Sequence, residues 1–349
     1  MKNRVIFIGA IDKGNVATNG ETMKNQLLLK RFDALFDKVV SIDTYQWEKH
    51  PWIIISILWH LIINRGAKVV VSASGAASYL FLFLHYFPLK KNVYDWVIGG
   101  SRATLIRKGV YRLNDLKRLN KIIVEGESMV LELKKMGLDN VVCVPNFKPV
   151  DFIQRRERVV SADITPSRFV FLSRIHPDKG VKEIIESCRY LNENGYEKRF
   201  FIDFYGAFDT NYQQQFNALI SPFKNIEYKG FLNLMEEKGY EELSKYDAML
   251  FPTYWEGEGF PGIAIDAYMS GLPIIASDWS MNKEVIDDGI TGCIIPVHDS
   301  MALATKMKDI IDGEIDVTTL RKNCIERALQ YDYRNVVSKE LLTNLGLIS

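Results

Sequence analysis

Two pairs of charged residues stand at spacings that could do chemistry. Arg174 and Lys179 flank a tight turn in Phe171–Gly180, FLSRIHPDKG, and Glu258 and Asp266 are separated by seven residues in Phe251–Gly271, FPTYWEGEGFPGIAIDAYMSG. Two fixed cations beside the start of a helix suit a pyrophosphate, and an arginine can grip phosphate oxygens through two parallel bonds. The second stretch reads as strand, acidic Gly-rich loop and helix. Ala248–Pro252 is apolar, Pro261 fits a first helical turn, and Ile263, Ala264, Ala267 and Tyr268 recur at helical spacing up to Gly271. The free amides of Gly259, Phe260, Gly262 and Ile263 would then point into the loop, as an anion site at a helix start requires. Glu258, beside them, can also accept hydrogen bonds from sugar hydroxyls. Each feature has a plainer reading: Glu258 caps the helix, Asp266 is solvated, and Arg174 and Lys179 are surface side chains with solvated tips. Position joins them, because both turns close predicted strands of one sheet.

The elements that carry these turns follow from periodicity. Apolar runs predict strands at Val5–Gly9, Lys38–Ile42, Ala67–Ser72, Val93–Ile98, Lys121–Val124 and Val141–Pro145, with helical patterns at Glu21–Leu35, Trp52–Asn64, Ala76–Tyr86, Leu113–Leu119 and Met129–Met136 between them. The alternation restarts with strands at Phe169–Arg174, Phe200–Tyr205, Ile226–Gly230, Ala248–Pro252, Pro273–Ser277 and Gly292–Pro296. Helices are expected there at Val181–Leu191, Tyr212–Leu219, Leu234–Lys245, Gly262–Ser270 and Met301–Ile311. Such βα repeats imply an α/β protein of two doubly wound parallel sheets, Rossmann-like domains facing across a cleft, with ligand beyond the C-terminal strand ends. The domain boundaries expected are 1–147, 148–330 and a tail 331–349 that packs back on the first domain. Asn146–Val150 is the junction, 151–167 a polar linker, and Leu320–Leu345 one helical tail. The turn Gly9–Gly20 carries Thr18 and Glu21 at capping-box spacing and is not a GxGxxG fingerprint, which disfavours a redox enzyme.

Composition excludes other classes. The 349 residues carry a formal charge of +1, so net balance implies no nucleic-acid partner. Four scattered cysteines, Cys143, Cys188, Cys293 and Cys324, argue against zinc and disulfides and for a reducing compartment. Met1-Lys2-Asn3 runs straight into a strand, so no signal peptide is expected, and the longest apolar run, Trp52–Ile63, is too short to span a bilayer. A cytoplasmic protein, soluble or attached to the inner face of the membrane, is the expectation.

At the level of ordered motifs the chain resembles the retaining glycosyltransferases of family 4, which have the GT-B fold. SRIHPDKG is similar to that family's R-x4-K segment and EGEGFPGIAIDA to its E-x7-E segment. DAMLFP, GLPIIASD and EVIDDGITG agree around them, and Val144-Pro145-Asn146 resembles the inter-domain junction. The likeness covers the C-terminal domain and thins over residues 1–140.

That resemblance implies a donor, a nucleotide-diphosphate sugar, and an acceptor, a saccharide or lipid-linked saccharide, in bacterial surface polysaccharide or glycolipid synthesis. Arg174 and Lys179 would neutralise the leaving diphosphate, the amides of Gly259, Phe260, Gly262 and Ile263 would bind the same phosphates, and Glu258 would hold the donor sugar. Gly20 matches the glycine that approaches the phosphates from the other domain. Asp266 stands where the family has a ribose-holding Glu, one methylene shorter. No metal and no cofactor is expected, because the cations and amides do that work and no DxD-type pair occurs in context. A non-catalytic nucleotide-sugar-binding module, an epimerase and a phosphorylase are the other classes weighed; intact Arg174, Lys179 and Glu258 favour transfer.

Of the five histidines, His50, His60 and His85 read as packing residues, His298 as a turn residue, and His176 as shaping the turn between the two cations. Asp203 reads as a carboxylate at the core edge. Trp52, Trp59, Trp96 and the aromatic run Tyr79–Phe87 read as core; the alternative is a peripheral membrane face, with Lys90, Lys91, Arg102, Arg107, Lys108, Arg112, Lys117 and Arg118 nearby in sequence.

Overall fold

Short runs of almost wholly apolar residues call for burial on both faces, and the interior strands of both sheets are buried so. The computed structural model describes residues 3–15, 19–83, 92–154, 166–209 and 211–349. Thr18, His85, Lys90, Lys91 and most of the expected linker lie outside the described residues. The chain forms two units, Met1–Pro149 with Tyr331–Ser349, and Val150–Gln330.

The first unit runs β1 (Arg4–Gly9), α1 (Gly20–Leu35), β2 (Lys38–Asp43), α2 (Ile53–Ile63), β3 (Lys68–Ala73) and α3 (Ala77–Phe83). It continues with β4 (Val93–Val97), α4 (Arg102–Arg107), α5 (Leu113–Leu116), β5 (Lys121–Val124), α6 (Glu127–Lys135) and β6 (Val141–Cys143). Its six parallel strands lie in the order β2-β1-β3-β4-β5-β6. The α1 cap is Asn19, whose side chain accepts the Thr22 amide at 2.9 Å while Thr22 Oγ1 faces back to the Asn19 amide. This replaces the Thr18 and Glu21 box expected from spacing; the Glu21 carboxylate instead accepts the amide and hydroxyl of Ser74.

The second unit runs β7 (Ser167–Leu172), α7 (Val181–Glu193), β8 (Phe200–Tyr205), α8 (Gln213–Ile220), β9 (Ile226–Gly230), α9 (Glu237–Leu243) and β10 (Ala248–Phe251). Then follow α10 (Gly262–Met269), β11 (Ile274–Ser277), α11 (Asn282–Val285), β12 (Gly292–Ile295), α12 (Ser300–Ile311) and α13 (Val317–Gln330). The strand order is β12-β11-β10-β7-β8-β9, also all parallel. The order reverses between β7 and β10, so the two charged turns leave adjacent strands at the point where doubly wound sheets bind ligands. Asp203 is buried and accepts from Tyr246 at 2.7 Å and Arg168 at 3.0 Å, the core-edge role expected of it.

The expected single tail helix is broken. Past α13 the chain returns to the first unit, where Lys148 and residues 331 and 333 exchange backbone bonds at 3.0 Å, and only then forms α14 (Tyr333–Val336) and α15 (Lys339–Asn344). Tyr333, Val337, Leu342, Leu347 and Ile348 enter the first unit's core, and Asp332 caps α14 through the Arg334 amide. A second correction concerns the tryptophans. Trp96 is fully buried, but Trp52 and Trp59 are 62% and 60% exposed. α2 lies along the edge strand β2 and sends only Ile57 and Leu61 inward, so a helix apolar all round has more apolar surface than its one packed face can cover.

One buried cation holds the helices around the second unit's charged turns. The Arg321 guanidinium on α13 donates to the carbonyls of Ser244 (3.2 Å), Gly271 (3.3 Å) and Tyr246, which end α9, α10 and the turn before β10. Arg321→Met strips three buried carbonyls of their donor and is expected to lower stability by about 3 kcal/mol, read from urea unfolding. A change under about 0.5 kcal/mol, the usual range of a surface substitution, would show that the carbonyls find other donors.

Candidate active site

The turn after β7 is fixed before any side-chain chemistry enters. Ile175, fully buried, bonds through its backbone to Ala207 (2.8 Å) and Asp209 (3.1 Å) in the turn after β8. His176 Nδ1 accepts the Asp178 amide at 3.1 Å, and Nε2 stands 3.5 Å from Asp209 Oδ2. The histidine thus shapes the turn, as its position suggested. Pro177–Lys179 then make one 3-10 turn, and Gly180 carries φ +79°. A Cβ on Gly180 would lie 2.3 Å from the Pro252 carbonyl oxygen, so only glycine lets this turn seat against the end of β10.

The β10 loop closes over that seat. The Tyr254 amide donates to the Asp178 carbonyl at 2.8 Å, joining the two motifs through the backbone. Lys179 Nζ donates to Glu258 Oε2, which also accepts from Thr253 Oγ1 at 3.2 Å. Both charged side chains are nearly buried, at 9% and 13% exposure, so each needs the other. The turn after β11 ties the far side: Trp279 Nε1 donates to the Trp255 carbonyl at 2.8 Å and Ser280 Oγ to the Glu258 carbonyl at 2.7 Å.

Trp255 is the residue sequence reasoning missed. The Arg174 guanidinium lies 4.9 Å from its ring centroid, Lys179 Nζ lies 5.8 Å away, and the His176 ring meets it edge-on at 5.0 Å. The indole holds the exposed Arg174 where a flexible side chain would otherwise wander. The signal was present, an aromatic three residues before Glu258 at a strand end, but aromatics there are common core residues.

At the start of α10, Pro261 is the flanking residue (φ −71°, ψ +94°) rather than the first helical one, and Gly262 opens the helix. The amides of Gly259, Gly262 and Ile263 have no hydrogen-bond partner among the described residues, while Phe260 packs inward. Asp266 is only 2% exposed, and its Oδ1 accepts the hydroxyl of Tyr240 on α9 at 3.0 Å. It is therefore not the solvated carboxylate of the plainer reading. Burial and the Asp266 charge push the Tyr240 phenol far up, so it stays the donor. Gly20 belongs to the other unit, as the first residue of α1 behind the Asn19 cap.

Residues 153–331, which contain both charged turns, match the sequence family described as glycosyl transferases group 1. The chain belongs to this family. Among curated relatives it is similar to the amylovoran biosynthesis glycosyltransferase AmsK of Erwinia amylovora, 29% identical over 44% of this chain and 38% of that one. It is also similar to the N,N'-diacetylbacillosaminyl-diphospho-undecaprenol alpha-1,3-N-acetylgalactosaminyltransferase of Campylobacter jejuni, 25% identical over 71% of this chain and 66% of that one. The chain spans about half the length of the curated relatives it matches. The sucrose-phosphate synthase structure from Thermosynechococcus elongatus superposes with a TM-score of 0.75 over 100% of both chains at 13% identity. With two parallel six-stranded sheets, the family member has the GT-B fold.

The pairing of Lys179 with Glu258 can be measured. Lys179→Met leaves a nearly buried carboxylate without its cation and is expected to destabilise by about 3 kcal/mol, whereas Lys179→Met with Glu258→Gln should lose less than the single change. A double-variant loss equal to the sum of the Lys179→Met and Glu258→Gln losses in a urea-unfolding cycle would show that the two side chains do not depend on each other.

Proposed function

We propose that this chain is a glycosyltransferase that moves a sugar, with retention, from a nucleotide-diphosphate sugar to a saccharide or lipid-linked saccharide in bacterial surface polysaccharide or glycolipid synthesis. The observation that carries the reading is the meeting of Lys179, Glu258 and Trp255-supported Arg174 beside unpartnered amides at the reversal of the second sheet. Family membership supports it. The Campylobacter relative is named for a diphospho-undecaprenol acceptor, which favours the lipid-linked class and work at the inner face of the cytoplasmic membrane.

The chemistry follows from charge. Breaking the sugar–phosphate bond develops negative charge on the diphosphate and positive charge on the sugar ring. Arg174 and the amides of Gly259, Gly262 and Ile263 stabilise the first, and preorganised donors of this kind are often the largest catalytic contribution. Lys179 serves two partners in turn. Without donor it neutralises Glu258; when a diphosphate arrives its ammonium turns to the phosphate, and Glu258 is freed for the sugar hydroxyls. Asp266 fixes α10 through Tyr240 and reaches the ribose through a bridging water. The leaving phosphate oxygen takes the acceptor proton on the face it departs from, which retains configuration without a dedicated base. With the diphosphate neutralised by side chains and amides, transfer needs no metal.

The test is turnover of UDP-, GDP- and ADP-sugars without acceptor in the presence of EDTA. Slow hydrolysis of one donor is expected, unaffected by EDTA and reduced roughly 100- to 1,000-fold by Glu258→Ala or Arg174→Ala. Failure to bind any of the donors would overturn the proposal, and dependence on an added metal would overturn its metal-free part.

A further inference from the structure

We infer that the exposed face of α2 is a membrane-docking surface for anionic lipid. The inference deepens the lipid-linked acceptor reading, on which its biological sense rests, but it stands on separate residues. Trp52, Ile55, Trp59, Ile62 and Ile63 are all exposed, the first at the helix start and the rest along it. At 100° per residue they fall in an arc of about 100°, with the buried Ile57 and Leu61 on the opposite side. The face is a single stripe of indole and aliphatic side chains.

Its chemistry selects the occupant. Tryptophan is favoured at the boundary of hydrocarbon and headgroup, where an apolar ring and a polar N–H are both satisfied. From Lys49 to Lys68 the chain holds Lys49, Arg65 and Lys68 and no carboxylate; Glu48 precedes the segment. Lys49 and Arg65, which stand just before and just after the helix, are both exposed, and cations at the ends of an apolar stripe complement a layer of anionic headgroups. Eleven residues make a helix about 16 Å long, half a bilayer's hydrocarbon thickness, so it lies in the interface rather than crossing. A second copy fits poorly. Five side chains are far fewer than the roughly 20–30 residues a side of a stable interface. Antiparallel pairing of two α2 helices would also set Lys49 against the other copy's Arg65.

The experiment is flotation of the whole protein with vesicles of phosphatidylcholine alone or mixed with phosphatidylglycerol, alongside tryptophan fluorescence and donor hydrolysis in solution. The expected result is binding to the anionic vesicles, weakened by salt, with a blue-shifted emission. Ile55→Ser with Trp59→Ser should reduce that binding roughly tenfold or more and leave donor hydrolysis unchanged. No flotation by the wild type, or equal flotation by the variant, overturns the inference. So does a wild-type dimer in light scattering that the variant converts to monomer, since the face would then join two copies. Hydrolysis that persists while flotation fails leaves the transferase proposal standing; hydrolysis absent from a protein that floats strikes that proposal alone.

Discussion

The ion pair between Lys179 and Glu258 is the contact on which the site's architecture depends. It spans two turns far apart in sequence that leave adjacent strands, and it exists only because Gly180 permits the first turn to touch Pro252 at the end of the second strand. Withdrawing a lysine and a glutamate from water is costly, and here the backbone bond between Tyr254 and Asp178 also ties the two loops together. The remaining contacts follow from that closure: Trp255 lies over both cations, and the turn after β11 clamps the carbonyls of Trp255 and Glu258 from outside.

The buried charges of the first unit make an instructive contrast. Arg102 and Asp95 pair at 3.1 Å with almost no access to water, and burial pushes the Asp95 carboxyl up to about 6 against the opposing pull of Arg102. That pair is sealed by Tyr111, whose ring lies 4.2 Å from the guanidinium. The pair in the second unit has an exposed arginine and three unpartnered amides as neighbours instead. A sealed pair serves packing. A pair bordered by unmatched positive groups is suited to exchange partners when an anion comes.

Much of this was legible in the sequence because its causes are local. Phe200–Tyr205 is a nearly apolar run and Ile226–Gly230 an alternating strand closed by a glycine, and the limits of both are read directly. That the two charged turns lie at strand ends of one sheet was read from the sequence, whereas the pairing of Lys179 with Glu258 was not. What was not legible depended on tertiary context. The exposure of Trp52 and Trp59 is decided by α2 lying on an edge strand, a fact of strand order rather than of hydropathy. The break before Tyr333 comes from a backbone pairing with Lys148, nearly two hundred residues away in sequence. Asp266 carried the right spacing, yet its hydroxyl partner Tyr240 sits on another helix that no motif announces.

The chain enters the second unit at Val150 and leaves it at Gln330, so the first unit is interrupted in sequence by the whole of the second. Leu342, Leu347 and Ile348, which complete the core around Trp96 and Phe32, are synthesised after every residue of the second unit. During translation the second unit therefore has all of its chain while the first still lacks a wall. Until that last segment emerges, the first sheet waits with part of its apolar surface open to water. The order in which the two halves mature is thus written into the return of the chain, with the half that carries the two charged turns complete before the half that bears α2.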